Sequence, residues 1–550
     1  MSSNVGRNSL IMASGTMASR ITGQIRTILL AACLGTTGIA ANAYQTGAMI
    51  PQVLFTVISG GIFNAVLVPQ IVRTLKEHDA QERLNKLITL AIALLAGMTL
   101  LMMLATPLLT MLYLDRSWGP AERALVNAFT LWCMPQIFFY GLYTVLGQIL
   151  AAKDNFVTYA WSSVGANVIS CLGFTMFLFL FGPSSRAPLE FWTTGKVALT
   201  AGAWTLGVAF QAVVLFVPLM RLGLHYRPQW GVSGIGLKAM GPVAAWSVGV
   251  MGVQELANIV NARITNGAPF AGGDLYGIAG NGSYQNAFTL YILPYSLIAV
   301  SVGTAIFPKI SRAVAEHNLD EARDDLSGAL RNVGVMMMYF TMAIVVMPVP
   351  ITIALLPSVN VPEAKLIAGP MVALALGLPL TSAYLLIQRT FFAFEDGRHP
   401  FLFQLTVSII QVVFEVGVML LMPPPYWTAG VGLAMTVGYL LSFPSLVAML
   451  RRRFAGRLDG RRIAAAYLKA LVAAVAAGVT AWLLTDPVMA LLGASLPQDR
   501  LNWPQAFAFC AITAIVTAIV YALVLLLLRC EEFTAIVKAM SGRVTRRANR

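Results

Sequence analysis

The feature that most limits this 550-residue chain is the recurrence, from end to end, of apolar runs long enough to cross a bilayer. A helix spans the hydrocarbon core in about 20 residues, and in lipid every backbone N–H and C=O must find its partner within the protein. Helices and closed barrels meet that demand, and the period-2 alternation of barrel strands is absent. About fourteen runs can be delimited, the first over 9–35 and the last over 503–528. Charged residues make up 11% of the chain, far below the roughly 25% of soluble proteins. The loops are short, so no separate catalytic domain fits between the runs. The expected fold class is an all-α polytopic membrane protein of about 14 transmembrane helices.

Charge placement gives the topology. Most of the 37 Lys and Arg fall in the terminal segments and in the even-to-odd connections. Clusters include Arg73, Lys76, Arg83 and Lys86, the run Arg451–Arg462, and Arg543–Arg550. The positive-inside rule then puts both termini in the cytoplasm of a multi-pass protein. The net charge of +14 is read as topology plus contact with anionic lipid, not as nucleic-acid binding. The N-terminal run is too long, and too interrupted by arginine, for a cleavable signal.

A repeat suggests the domain plan. Pro69, Ile71, Arg73, Glu77 and His78 recur at constant offset as Pro308, Ile310, Arg312, Glu316 and His317. Gln148 with Asp154 is echoed by Gln388 with Asp396. Two pseudo-symmetric six-helix lobes around a central cavity are expected, over 1–225 and 236–455. Spans thirteen and fourteen form an appendage over 462–530, and 531–550 is a basic tail. Such parallel repeats are an alternating-access architecture with the substrate site between the lobes.

Candidate site residues are the polar ones inside spans. Arg20 lies about 16 Å into the first run at 1.5 Å per residue, and Arg26 lies one and two-thirds turns further. Guanidinium suits planar, bidentate contact with phosphate or carboxylate. The pair therefore reads as an anion clamp; a structural ion pair or snorkelling to an interface is the other reading. Gln24 and Thr27 share the face of Arg20. Pro51, Gly60 and Gly61 in the second span suit a bending gate, or close packing by small residues. Glu255, Gln411, Glu415 and Thr436 offer oxygen ligands for a hard monovalent cation, or a carboxyl that carries a proton; local pairing, such as Glu255 with Asn258 or Arg263, is the alternative. The five cysteines and four histidines are scattered and form no metal spacing. No HExxH, GxSxG or Walker motif has the required context, so an enzyme is not expected, nor is a cofactor.

Several runs resemble one family. SRITGQIRTILLAACLG (Ser19–Gly35), IPQVLFTVISGGIFNAVLVPQI (Ile50–Ile71), GTAIFPKISR (Gly303–Arg312) and RTFFAFEDGRHP (Arg389–Pro400) are similar to the MurJ (MviN) lipid II flippases. That family belongs to a superfamily with multidrug exporters and polysaccharide flippases. The resemblance implies movement of undecaprenyl-pyrophosphate-linked disaccharide-pentapeptide from the inner to the outer leaflet of the bacterial cytoplasmic membrane. It implies that Arg20 and Arg26 hold the pyrophosphate, that the last two helices form a lipid groove, and that a cation site lies at Glu255, Gln411, Glu415 and Thr436. Coupling would be to membrane potential, Na+ or H+, and partners would include cell-wall synthesis or division proteins. Four positions charged in the family are Thr27, Asn42, Phe55 and Thr289 here, a pattern that looks like the actinobacterial branch; these four are expected to line the cavity. Rival readings are a polysaccharide-lipid flippase, a drug exporter, or a non-transporting scaffold for cell-wall enzymes.

Overall fold

The computed structural model describes residues 2–59, 80–153, 155–224, 226–231 and 242–534. Among these residues the chain is helical, and the β-structure is one isolated bridge, Ser495 with Arg500. The helices are α1 Ser2–Leu34, α2 Gly38–Ile58, α3 Ala80–Leu104, α4 Thr106–Tyr113, α5 Pro120–Cys133, α6 Gln136–Ala152, α7 Val157–Phe181, α8 Thr194–Val197, α9 Ala203–Val213 and α10 Phe216–Arg221. There follow α11 Pro242–Ala271, α12 Asn281–Pro294, α13 Val300–Ala315, α14 Leu319–Val346, α15 Pro348–Leu355, α16 Val361–Ala375, α17 Leu378–Ala393, α18 Arg398–Leu421, α19 Trp427–Arg453, α20 Gly460–Leu491 and α21 Trp503–Leu527. Two π-helical segments, Ala198–Gly202 and Tyr295–Ala299, interrupt the series.

Ten helices among the described residues are long and apolar enough to cross a membrane, or eleven if the bent pair α16–α17 is one span. The chain is a multi-pass membrane protein; the ten or eleven spans found among the described residues leave the count of fourteen unconfirmed. The helices outside that count include α1, α2 and α11. Each carries polar side chains through its middle, which lowers its hydropathy. They are also the helices that carry most of the candidate site residues.

The chain divides into two compact units, Met1–Gly282 and Ser283–Arg550. In the first, α1 lies along α7, α7 along α9, α2 along α5, and α3 along α6. Lipid gives no hydrophobic drive for helix association, so close backbone approach and interhelical hydrogen bonds do the work. A Cβ at Gly15 would sit 2.8 Å from Ala160 Cβ, and the Asn167 amide donates to the Ser19 carbonyl (3.0 Å) and the Thr22 hydroxyl (3.1 Å). The core of this unit is an aromatic column in which Tyr44, Phe129, Trp192 and Phe177 meet in series. The helix α11, read from sequence as span seven, packs on α2 and α4 within this unit.

In the second unit α14, α20 and α21 form a bundle around Ala470, Ala473, Ala474 and Ala477. The Tyr521 hydroxyl donates to the Val335 carbonyl (2.6 Å) and ties α21 to α14. The α16–α17 bend is 46°. A bend frees backbone carbonyls, which in lipid need new partners. Thr436 donates to the Ala373 carbonyl (2.8 Å) and Thr341 to that of Ala375 (3.1 Å). At the α17–α18 corner the buried Asp396 accepts from Arg453 Nε (3.0 Å) and from the His399 backbone N–H (3.2 Å), and contacts the His399 ring at 2.5 Å. Burial pushes its carboxyl up; the His399 backbone N–H, the Arg453 guanidinium and the His399 ring outweigh that and hold it below the usual carboxylate range.

Candidate functional site

The first-helix arginines are placed differently. Arg26 is half-buried, with its guanidinium carbon 4.5 Å from the ring centroid of Trp204 on α9. No salt bridge among the described residues involves it, so its charge meets an aromatic face rather than a carboxylate. The Tyr44 and Tyr140 hydroxyls lie within electrostatic reach. Tyr44 is 1% exposed, and its hydroxyl has no hydrogen-bond partner among the described residues. Arg20 is half-buried, and both it and Gln24 are engaged in contacts of their own. By helical period Arg20 faces about 120° away from Arg26.

The supporting positions sort by where their polar atoms go. Thr27 donates to the Gly23 carbonyl (3.1 Å) and Thr289 to that of Gln285 (2.9 Å), each within its own helix. Phe55 rests on Tyr140 with ring centroids 5.4 Å apart. Asn42 is 1% exposed and accepts from the Gly282 backbone N–H (2.6 Å). It belongs to a buried amide knot. The Thr46 hydroxyl donates to the Asn42 carbonyl (2.8 Å) and receives the amides of Asn266 (3.0 Å) and Asn281 (2.8 Å). The Asn266 amide also donates to the Tyr113 carbonyl (3.1 Å), and the Asn266 backbone carbonyl accepts from the Trp118 indole (3.1 Å). Pro51 is buried inside α2, whereas Gly60 and Gly61 lie outside the described residues, as do the first half of the repeat, Asp154 and the tail from 535.

The four candidate cation ligands fall in both units. Glu255, in the first, accepts from the Asn258 amide one turn on (3.0 Å). Glu415, in the second, is fully buried; its Oε1 accepts from Gln411 (2.9 Å), and its Oε2 has no hydrogen-bond partner among the described residues. Thr436 spends its proton on the α16 carbonyl described above. The second unit also holds an apolar cavity of about 320 Å³ among α14, α17, α19 and α20, walled by residues such as Leu326, Ile387, Phe443 and Leu450. Arg323, Ser327 and Asp459 stand among its lining, with the Ser327 hydroxyl donating to Asp459 (2.6 Å).

Sequence reasoning missed Trp204, Tyr44 and Tyr140. Aromatic residues abound in these spans, and spacing alone does not single out the three that surround Arg26. Nor does the run ALTAG, which forms the π segment ahead of Trp204, stand out from the other apolar stretches.

A family model described as Lipid II flippase MurJ matches residues 30–497. Arg20 and Arg26 precede that stretch, so the family match does not reach them. A probable lipid II flippase MurJ of Rhizobium meliloti (strain 1021) is 25% identical over 458 residues, 79% of each chain. One of Haemophilus influenzae is 23% identical over 500 residues, 85% of this chain and 90% of the other. A solved lipid II flippase MurJ in an inward closed conformation superposes with a TM-score of 0.71 at 17% identity, over 96% of this chain and 100% of that one. An inward-facing multidrug resistance MATE transporter of the MOP superfamily gives 0.62 at 14% identity, over 81% and 98%. These last two likenesses establish a shared fold. The family model spans most of the sequence, and the chain belongs to the MurJ family of lipid II flippases.

Proposed function

We propose that the protein carries lipid II from the inner to the outer leaflet of the bacterial cytoplasmic membrane by alternating access, with both termini in the cytoplasm. Arg20 and Arg26 take the pyrophosphate. The observation that carries this reading is the state of Arg26: a cation inside a span, in contact with an aromatic ring and with no carboxylate bridged to it among the described residues. An intramembrane arginine costs roughly 2.5–3.5 kcal/mol on insertion scales, and a structural role would satisfy it with a counter-charge. A diphosphate ligand supplies that charge during transport.

The isoprenoid tail stays in lipid along α20 and α21, and the apolar cavity beside α20 offers hydrocarbon a wall. The cycle is reset by the membrane potential or by Na+ or H+ at Glu415, whose second carboxylate oxygen has no hydrogen bond among the described residues. One charge crossing 100 mV supplies about 2.3 kcal/mol, enough to bias two states. Anionic lipids meet the basic segments, and no catalytic step is involved. The test is leaflet-resolved detection of lipid II in cells whose sole flippase is this chain, as wild type or Arg20→Ala. Accumulation in the inner leaflet with the variant supports the reading; equal translocation by an equally inserted variant removes Arg20 from it.

A further inference from the structure

Trp204 stands two residues after the π-helical segment Ala198–Gly202. A π turn inserts an extra residue into the helical repeat and rotates all that follows by about 100°. In the register so set, Thr205 donates to the Trp132 carbonyl (2.7 Å) and receives the Gln136 amide (3.0 Å), which fixes α9 to the α5–α6 corner. Trp204 itself has two ring-face partners. The Arg26 guanidinium carbon is 4.5 Å from its ring centroid, and Tyr44 is nearly parallel to it at 6.3 Å and 20°. Tyr44 is in turn braced edge-on by Phe129 at 5.3 Å and 75°. The indole is therefore held by packing that has nothing to do with the arginine.

A guanidinium carries its donors in its own plane, in a fixed fork. When a ring covers one face, the fork at the rim stays available and its direction is set by the ring. An arginine without such a platform must lose the freedom of several rotatable bonds on each encounter with an anion.

We propose that Trp204 is a positioning residue for anion capture: clamped by Tyr44, it fixes the plane of Arg26 so that adjacent N–H groups meet diphosphate oxygens side by side. The inference rests on the reading of Arg26 as a pyrophosphate ligand and adds the element that orients it. It also accounts for the π segment, which delivers Trp204 to this face.

The test measures binding of undecaprenyl pyrophosphate to the full-length protein in nanodiscs. The variants are Trp204→Phe, Trp204→Met, Trp204→Leu, Arg26→Ala and Arg26→Ala/Trp204→Leu. Trp204→Leu is expected to weaken binding about 3- to 30-fold, the range of a desolvated cation–π contact. Affinity should fall in the order Trp, Phe, Met, following the strength of the ring's hold on a cation, and the leucine change should add nothing once Arg26 is alanine. Affinities that instead follow thermal midpoints, or a leucine effect equally large without Arg26, show a packing role and overturn the proposal. Wild-type affinity in Trp204→Leu while Arg26→Ala is weak overturns it and leaves the pyrophosphate reading intact. Wild-type affinity in Arg26→Ala overturns both.

Discussion

Thr46 is the hub of the buried knot that joins α2 to α11 and to the start of α12, and replacing it with valine removes one oxygen with little change in shape. Four contacts of hydrogen-bond length meet at that hydroxyl: its proton goes to the Asn42 carbonyl (2.8 Å) or the Asn266 side-chain oxygen (3.2 Å), and it receives the Asn266 and Asn281 amides. The Asn42 carbonyl is an acceptor in its own helix, so little is lost there. Asn266 retains the Tyr113 carbonyl, so its loss is partial. Leaving a buried donor short of a partner costs about 1–3 kcal/mol, whereas hydrogen bonds between membrane helices average about 0.6 kcal/mol. With two amides each losing one acceptor, the expected destabilisation is about 1–3 kcal/mol. At the entropy of unfolding expected for 550 residues, that corresponds to a fall of roughly 1–3 °C in the thermal midpoint of the solubilised protein. Thr46→Ser keeps the hydroxyl and should remain within about 1 kcal/mol of wild type, since it loses only a methyl group. A valine variant as stable as wild type, or a serine variant equally damaged, refutes the account of the knot as a hydrogen-bonded hub.

Three further outcomes follow from the packing and charge. Asp396→Asn should lower the thermal midpoint at neutral pH by an amount equivalent to about 1–3 kcal/mol, a figure discounted because the Arg453 side chain is 41% exposed. Because the folded Asp396 carboxyl titrates below its unfolded value, its contribution is present above pH ~4 and is lost as pH falls through the lower, folded value. The gap in stability between wild type and Asp396→Asn, measured by unfolding from pH 7 to pH 3, should therefore narrow on the acid side, and a constant gap counts against it. Gly207→Val would drive its side chain into the Ala166 carbonyl and the Ser170 hydroxyl on α7, costing about 1–3 kcal/mol by overpacking, and detergent-extracted yield and melting report it. Glu415→Gln should abolish any Na+ or H+ dependence of transport while leaving lipid II binding within about threefold, and retained ion dependence in flux assays contradicts the role given to that carboxylate.

Membrane residence and helical class were legible in the sequence because both follow from the length and composition of apolar runs. The number of spans was less so. The helices α1, α2 and α11 dilute their hydropathy with Arg20, Arg26, Asn42, Thr46, Glu255 and Asn266, so composition hides the helices that carry the polar chemistry. For Arg26 the residue type announced an unusual site, but its partner did not: Trp204 is 178 residues away, and a π insertion decides which way it faces. Asn42 shows the reverse. Read as a cavity position, it is a buried amide engaged with the Gly282 backbone, and polarity alone does not separate a residue that waits for a ligand from one already satisfied. Glu255 and Glu415 look alike in sequence, yet the first is half-buried beside Asn258 while the second is fully buried with one oxygen unmatched. Desolvation and hydrogen-bond completeness are tertiary quantities, and they distinguish the two acids.

The most direct measurement is the rate at which lipid II becomes accessible at the opposite leaflet of proteoliposomes holding the purified protein. A charge-assisted, bidentate contact is worth about 1.5–3 kcal/mol, so Arg26→Ala should slow that exposure roughly 10- to 150-fold at unchanged reconstitution. Exposure at the wild-type rate would mean that the guanidinium over Trp204 does not handle the pyrophosphate.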